Sequence, residues 1–174
     1  MSSITLYDVA VPTFTRGLKT LDHILTKAEE YAKEKGIDAD AEFIQARLIE
    51  DQFPLLFQVQ NSTRNVKTYV DHLTGNISEP FTNSEKTFAE LHTRISATLE
   101  LLKTVKPDVA NARGGTNTAD FTVGGKEIQL TITQAVIQQG IPNFIFHVTT
   151  AYSILRAKGV PVGKSDYISS FIFN

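Results

Sequence analysis

The sequence predicts an all-α protein: an antiparallel four-helix bundle filling one domain, residues 1–174. Three observations carry this reading. Four long segments repeat apolar residues at helical spacing, no strand-helix alternation of the doubly wound kind occurs, and no repeat, low-complexity tract or linker divides the chain. Composition agrees, with 41% hydrophobic and 21% charged residues, which is globular rather than disordered.

The first helical segment runs from about Ser3 to Glu34, with Pro12 expected to break it early. Beyond the proline, Phe14, Leu18, Leu21, Leu25, Ala28 and Ala32 alternate spacings of four and three, the seam pattern of a bundle. Gly36 follows a Lys-Glu-Lys run, where a helix stop is expected. Gly17 lies on the core face and leaves room for close helix packing or for a cavity. A short turn around Ala41 to Leu48 precedes the second helix, which starts near Phe53-Pro54, is striped by Leu55, Val59, Val66, Val70 and Leu73, and stops at Gly75. The third opens at Asn83 or Ser84, with Ser84-Thr87 as a partial capping signal, carries Phe88, Leu91, Ile95, Leu99 and Leu102, and ends at Pro107.

From Asp108 to Gly140 the helical rhythm is lost. β-Formers on both sides of Gly124-Gly125 predict a small β-hairpin in the crossover before the last helix. That helix starts at Pro142 and runs to about Lys158, closed by Gly159. The tail holds Tyr167, Ile168, Phe171, Ile172 and Phe173, apolar enough to dock on the body or on a second subunit.

Net charge is -2, without the clustered positive charge that displaces phosphate counterions, so no nucleic-acid partner is expected. The absence of cysteine excludes disulfides, thiolate zinc sites and a cysteine nucleophile. No apolar run approaches membrane-spanning length and the first residues lack the form of a secretory signal, so a cytoplasmic address and no membrane contact are expected. Phosphate-loop and nucleophile-elbow motifs are missing.

Four histidines remain as chemistry-bearing candidates, and no two share a helix at i, i+4. His23 is expected near solvent, and His72 and His92 in polar surroundings. His147 differs: it follows Phe144, Ile145 and Phe146 in the most apolar helix, with Asn143 one turn earlier. If buried, it must find hydrogen-bond partners, as a core histidine or as a base, acid or ligand. On the second helix Asp51, Gln58 and Ser62 can share a stripe beside the apolar seam, so Gln58 could meet His147 or Asn143 across the core. Tyr152 and Arg156 could reach the mouth of such a pocket.

These residues support a resemblance. Ala46-Arg47-Leu48 through Asp51-Gln52-Phe53-Pro54 to Gln58-Val59-Gln60 resembles the central signature of a bacterial and fungal family of unknown function. So does Pro142-Asn143-Phe144 through His147-Val148-Thr149-Thr150-Ala151-Tyr152 to Leu155-Arg156, continuing to Gly159-Val160 and Gly163-Lys164-Ser165-Asp166. Leu6-Tyr7-Asp8 and Val11-Pro12 with Phe14 extend the likeness over nearly the whole chain. The family resembles a branch of the DinB-like (YfiT-like) four-helix-bundle superfamily of metalloenzymes. That resemblance implies an up-down-down-up bundle, often dimeric. It also implies a divalent metal held by one histidine of the second helix and an i, i+4 pair of the fourth. Some relatives are thiol-dependent transferases or isomerases, such as mycothiol-dependent maleylpyruvate isomerase.

The chain departs from the pattern at the metal. His147 falls where the last histidine of the pair would be, but its partner position holds Asn143, and the second helix offers Gln58 or Gln60. Amides are weak transition-metal ligands beside imidazole. The leading expectation is therefore a cofactor-free, metal-free pocket for an unknown small molecule. His147 would be its acid or base, and Asn143, Gln58, Asp51, Tyr152 and Arg156 its binding residues. The alternatives are a divalent-metal-dependent transferase or isomerase completed by Asp51 or water, and a non-enzymatic interaction protein. A homodimer is expected.

Overall fold

The computed structural model describes residues 3–123 and 125–173, with the side chains of Phe121 and Val123 set aside. Its first helix, α1 (Leu6–Lys35), begins where Thr5 accepts from the Asp8 amide while the Asp8 carboxylate accepts from the Thr5 amide. Pro12 does not break it. Ala10 and Phe14 are wholly buried on either side, and their packing holds the helix through the missing hydrogen bond. Gly36 ends α1 at φ 66°.

After α2 (Ala39–Phe43), Pro54 caps α3 (Leu55–Thr74), and Gly75 closes it at φ 79°. The next helix, α4 (Phe88–Lys103), starts later than Asn83 or Ser84. Thr87 and Glu90 form a full capping box, which outcompetes the partial signal upstream. Pro107 does not merely follow α4: it opens α5 (Pro107–Thr116), where its lack of an N–H is harmless. The expected hairpin follows as β1 (Thr118–Val123) paired antiparallel with β2 (Lys126–Thr131), Phe121 opposite Ile128. Gly125 sits at φ 78°, and Gly124 lies outside the described residues. The helical rhythm then returns earlier than expected, in α6 (Ile132–Ala135), a π-turn over Val136–Gly140, and α7 (Ile141–Ala157).

Side-chain pairs fix the directions of the long helices. The Phe88 amide at the start of α4 donates to Asp40 in the segment leading into α3, and Thr63 meets Arg94 further along, so α3 and α4 run parallel. His92 reaches Asp22 and Glu29, while Leu99 and Lys103 share a groove with Val11 and Tyr7, so α4 opposes α1. Gln58 meets His147 while Tyr69 meets Gln139, so α7 opposes α3. The result is the up-down-down-up bundle. Because α3 and α4 are parallel, residues 75–87 must return along α3, whose 20 residues span about 30 Å. Lys67 Nζ donates to the Ser78 carbonyl (2.8 Å) and Arg94 to that of Thr82 (2.8 Å), holding this strap down.

Phe14, Leu18, Leu21, Leu25 and Leu55 are among the wholly buried residues of the single core. Gly17 serves close packing rather than a cavity: a Cβ there would lie 2.3 Å from Phe144 Cε1. The apolar tail docks on the body as α8 (Lys164–Ile172), where Thr20 donates to the Tyr167 carbonyl (2.9 Å) and His23 meets Asp166 (3.1 Å). No helix among the described residues is long and apolar enough to cross a membrane.

Candidate functional site

The α3 face turned toward α7 carries polar side chains one turn apart: Gln58, Asn61, Arg64 and Asn65. They meet the start of α7, where the π-turn shifts the helical phase and offers Gln139 to the Tyr69 hydroxyl. Gly140 makes this approach possible, since a Cβ there would lie 2.5 Å from Tyr69 Cε2. Burial pushes the Tyr69 hydroxyl's pKa up, so it stays a neutral donor.

His147 sits at the centre of a one-way hydrogen-bond chain. The Arg64 guanidinium donates to Asn61 Oδ1, and Asn61 Nδ2 lies against His147 Nε2. On the other side, His147 Nδ1 stands 2.7 Å from Gln58 Oε1, and Gln58 Nε2 donates to the Phe53 carbonyl (2.8 Å). Guanidinium has no acceptor, so Asn61 must present its oxygen to Arg64 and its amide N–H to the imidazole. Every bond is then satisfied by one tautomer, neutral with the proton on Nδ1. Burial, with the Arg64 charge nearby, lowers the His147 pKa to about 4. The rings of Phe57 and Phe146 stand edge-on to it at 6.0 and 5.2 Å.

Beside this chain opens a cleft of about 280 Å³, whose walls include Asn61, Arg64, Asn65, Gln139 and Asn143. Arg64 is the sole charged side chain lining it. Asn65 is 8% exposed, yet its buried Oδ1 has no protein partner. A larger groove, about 400 Å³, lies between α1 and α4, lined by residues such as Val11, Lys19, Leu99 and Glu100. It contains neither histidine nor amide.

The expected site residues separate on this geometry. His147 and Gln58 are bonded to each other, and Asn143 stands on the cleft wall beside Asn61. Asp51 is exposed in the turn before α3. Tyr152 packs on Tyr167 of α8 (5.7 Å between centroids) in another groove. Arg156 is exposed and donates to the Val162 carbonyl (2.8 Å), closing the end of α7. Gln60 faces α4 instead, donating to Glu85 (2.8 Å). Sequence reasoning missed Asn61, Arg64 and Asn65. Extending the Gln58 stripe by three, six and seven residues would have found them.

A family model described as a domain of unknown function (DUF1993) matches residues 6–168. The chain belongs to the DUF1993 family. Its fold is also that of a DinB family member protein from Shewanella denitrificans, known from a crystal structure. The two share 41% identity at a TM-score of 0.81, over 94% of this chain and 91% of that one. No curated protein matches. The expected DinB-like relationship and helical-bundle fold therefore hold.

The DinB-like fold implies a divalent metal, and the donor set of this DUF1993 member does not fit one. Its imidazole lone pair already accepts from Asn61, whose oxygen is held by Arg64. That guanidinium places a permanent positive charge next to where a cation would bind. Among the described residues no group of three or more His, Cys, Asp or Glu could hold a metal ion, and exposed Asp51 does not complete one.

Proposed function

We propose that this DUF1993 member binds a small organic molecule, without a metal, in the cleft between α3 and α7. The observation that carries the reading is the Arg64–Asn61–His147–Gln58 chain, which orients Asn61 beside a cleft that Asn65, with its buried unpartnered oxygen, also lines. His147 serves here as a positioning residue rather than as the expected acid or base. With a pKa near 4 it is not an imidazolium acid at neutral pH and is a weak base, and its one N–H is held by Gln58. Asn143, one turn before it, faces the ligand across from Asn61.

The test is a titration of 15N-labelled, chelator-stripped protein with a panel of small carboxylic acids, amides and alcohols. At least one should saturably shift the side-chain amides of Asn61, Asn65 and Asn143, and Asn143→Leu should abolish the effect. Stoichiometric metal whose removal abolishes binding would overturn the reading, as would a panel without a single saturable ligand.

We also propose a homodimer joined through α8 and the residue after it, since Ile172 and Phe173 remain 61% and 72% exposed after docking. Replacing both by serine should halve the mass in solution; a wild-type protein of monomeric mass removes the idea.

A further inference from the structure

The α3/α7 groove is polar at one end and aromatic at the other. Along α3, Phe57 precedes Asn61 by one turn and Arg64 by two, so the three share a face. Along α7, Phe146 follows Asn143 by three residues, again on one side. The helices are antiparallel, so Phe57 and Phe146 meet at the same end, both edge-on to His147. Phe53 extends this end, stacked on Phe57 at 4.1 Å. Phe53 and Phe146 are 60% and 56% exposed, an uncovered aromatic surface outside the cleft's own lining, with Phe57 one turn before Asn61 and Phe146 three residues after Asn143. At the opposite end Arg64 supplies one positive charge with no acidic residue lining the cleft, and the buried Asn65 oxygen lacks a partner.

Resting on the binding function proposed above, we infer that the ligand is a small amphipathic monocarboxylate, its acid group on Arg64 and its apolar part on Phe57 and Phe146. The guanidinium is a planar donor suited to carboxylate, and Asn61 occupies only part of its donor set. A cleft with one cation and no anion selects a single negative charge over a neutral or cationic head. The aromatic end rewards an aliphatic or aryl tail, and the small volume excludes a large ligand. A hydroxyl beside the carboxylate would satisfy Asn65.

Calorimetric titration of the full chain with butyrate, hexanoate and the neutral analogue hexanamide tests this. Hexanoate should bind roughly tenfold tighter than butyrate, from two additional buried methylenes. Hexanamide should bind about tenfold more weakly than hexanoate for want of the charged hydrogen bond. Arg64→Gln should erase the preference for acid over amide, and Phe146→Ala should flatten the chain-length dependence. Both residues are exposed, and circular dichroism checks that each variant folds. Hexanamide binding as tightly as hexanoate, or acid binding indifferent to Arg64→Gln, would overturn the ligand class while leaving the pocket standing. Absence of binding by all three probes overturns this inference, whereas the broader panel decides the binding function itself. A mass that halves in Phe146→Ala with unchanged acid affinity would assign the aromatic face to a second copy and also overturn it.

Discussion

His147 is buried, neutral and bonded on both nitrogens, and this makes it a measurable contributor to acid sensitivity. Its folded pKa of about 4 lies below the ordinary value of 6.5. Between those values the unfolded chain takes up a proton that the folded chain refuses, so stability is complete above pH 6.5 and falls toward pH 4. The loss should reach about 3 kcal/mol. Denaturant midpoints at neutral and acid pH should show it in the wild type and much less of it in His147→Gln. Arg94 raises the opposite problem, a buried charge that must stay charged. Its side chain is 2% exposed and lies 2.8 Å from Glu85. Burial alone would raise the Glu85 pKa, but hydrogen bonds from Arg94 and Gln60 outweigh it and hold the carboxyl below its usual range. Arg94→Met leaves that carboxylate without its counter-ion and should cost about 3–5 kcal/mol in chemical denaturation. Of their partners, Gln58 was legible in the sequence as a residue that could meet His147, but Asn61 and Glu85 were not. Asn61 and Glu85 are ordinary polar letters until the helix crossings bring them to His147 and Arg94.

Helices are the level at which the sequence was most readable, and the errors have specific causes. Phe14, Leu18 and Leu21 lie where their spacing predicts, because a helical period maps directly onto one face. The start of α4 was misplaced because Thr87-x-x-Glu90 is a complete box lying just downstream of an incomplete one. Two seams between helices make sharp predictions. Across α1 and α4, His92 is hydrogen-bonded to Asp22 (2.6 Å) and Glu29 (3.0 Å). The Asp22 hydrogen bond raises its pKa most, burial opposes, and Glu29 adds to the rise. Its stabilising effect is full below the unfolded value and lost as pH rises through the raised folded one. Thermal midpoints should therefore decline on the alkaline side of that value, and His92→Gln should flatten the profile there. Across α1 and α7, Gly17→Ala forces a methyl into Phe144, which is wholly buried and edge-on to Phe14 at 5.3 Å. The expected cost is roughly 1–3 kcal/mol, read from the denaturant midpoint.

On the scale of the molecule, the hairpin packs on the bundle at its base, where paired Ala119 and Leu130 join the core, while residues 126–129 are exposed. The Ile132 amide donates to the Asn117 carbonyl (2.9 Å), so the hairpin leaves and re-enters the body at neighbouring points. Replacing residues 121–128 by a two-glycine link, which keeps Ala119 and Leu130, should shift stability by no more than about 1 kcal/mol. Unchanged helical circular dichroism would accompany that result. A collapse of the helical signal would mean that the hairpin braces the crossover.

By itself the sequence determined that this chain is helical, where its apolar faces lie, and that its most apolar helix carries one histidine. Those properties are local or periodic, set by spacings of three and four that hold before any helix meets another. Only the tertiary structure decided which polar residues converge. It put Asn61 and Arg64 on His147, turned Gln60 toward Glu85, and left Asp51, Tyr152 and Arg156 elsewhere. Such convergence depends on helix direction, axial register and the phase shift of a π-turn. Its contacts join α3 to α7 across the intervening sequence, beyond the reach of local spacing.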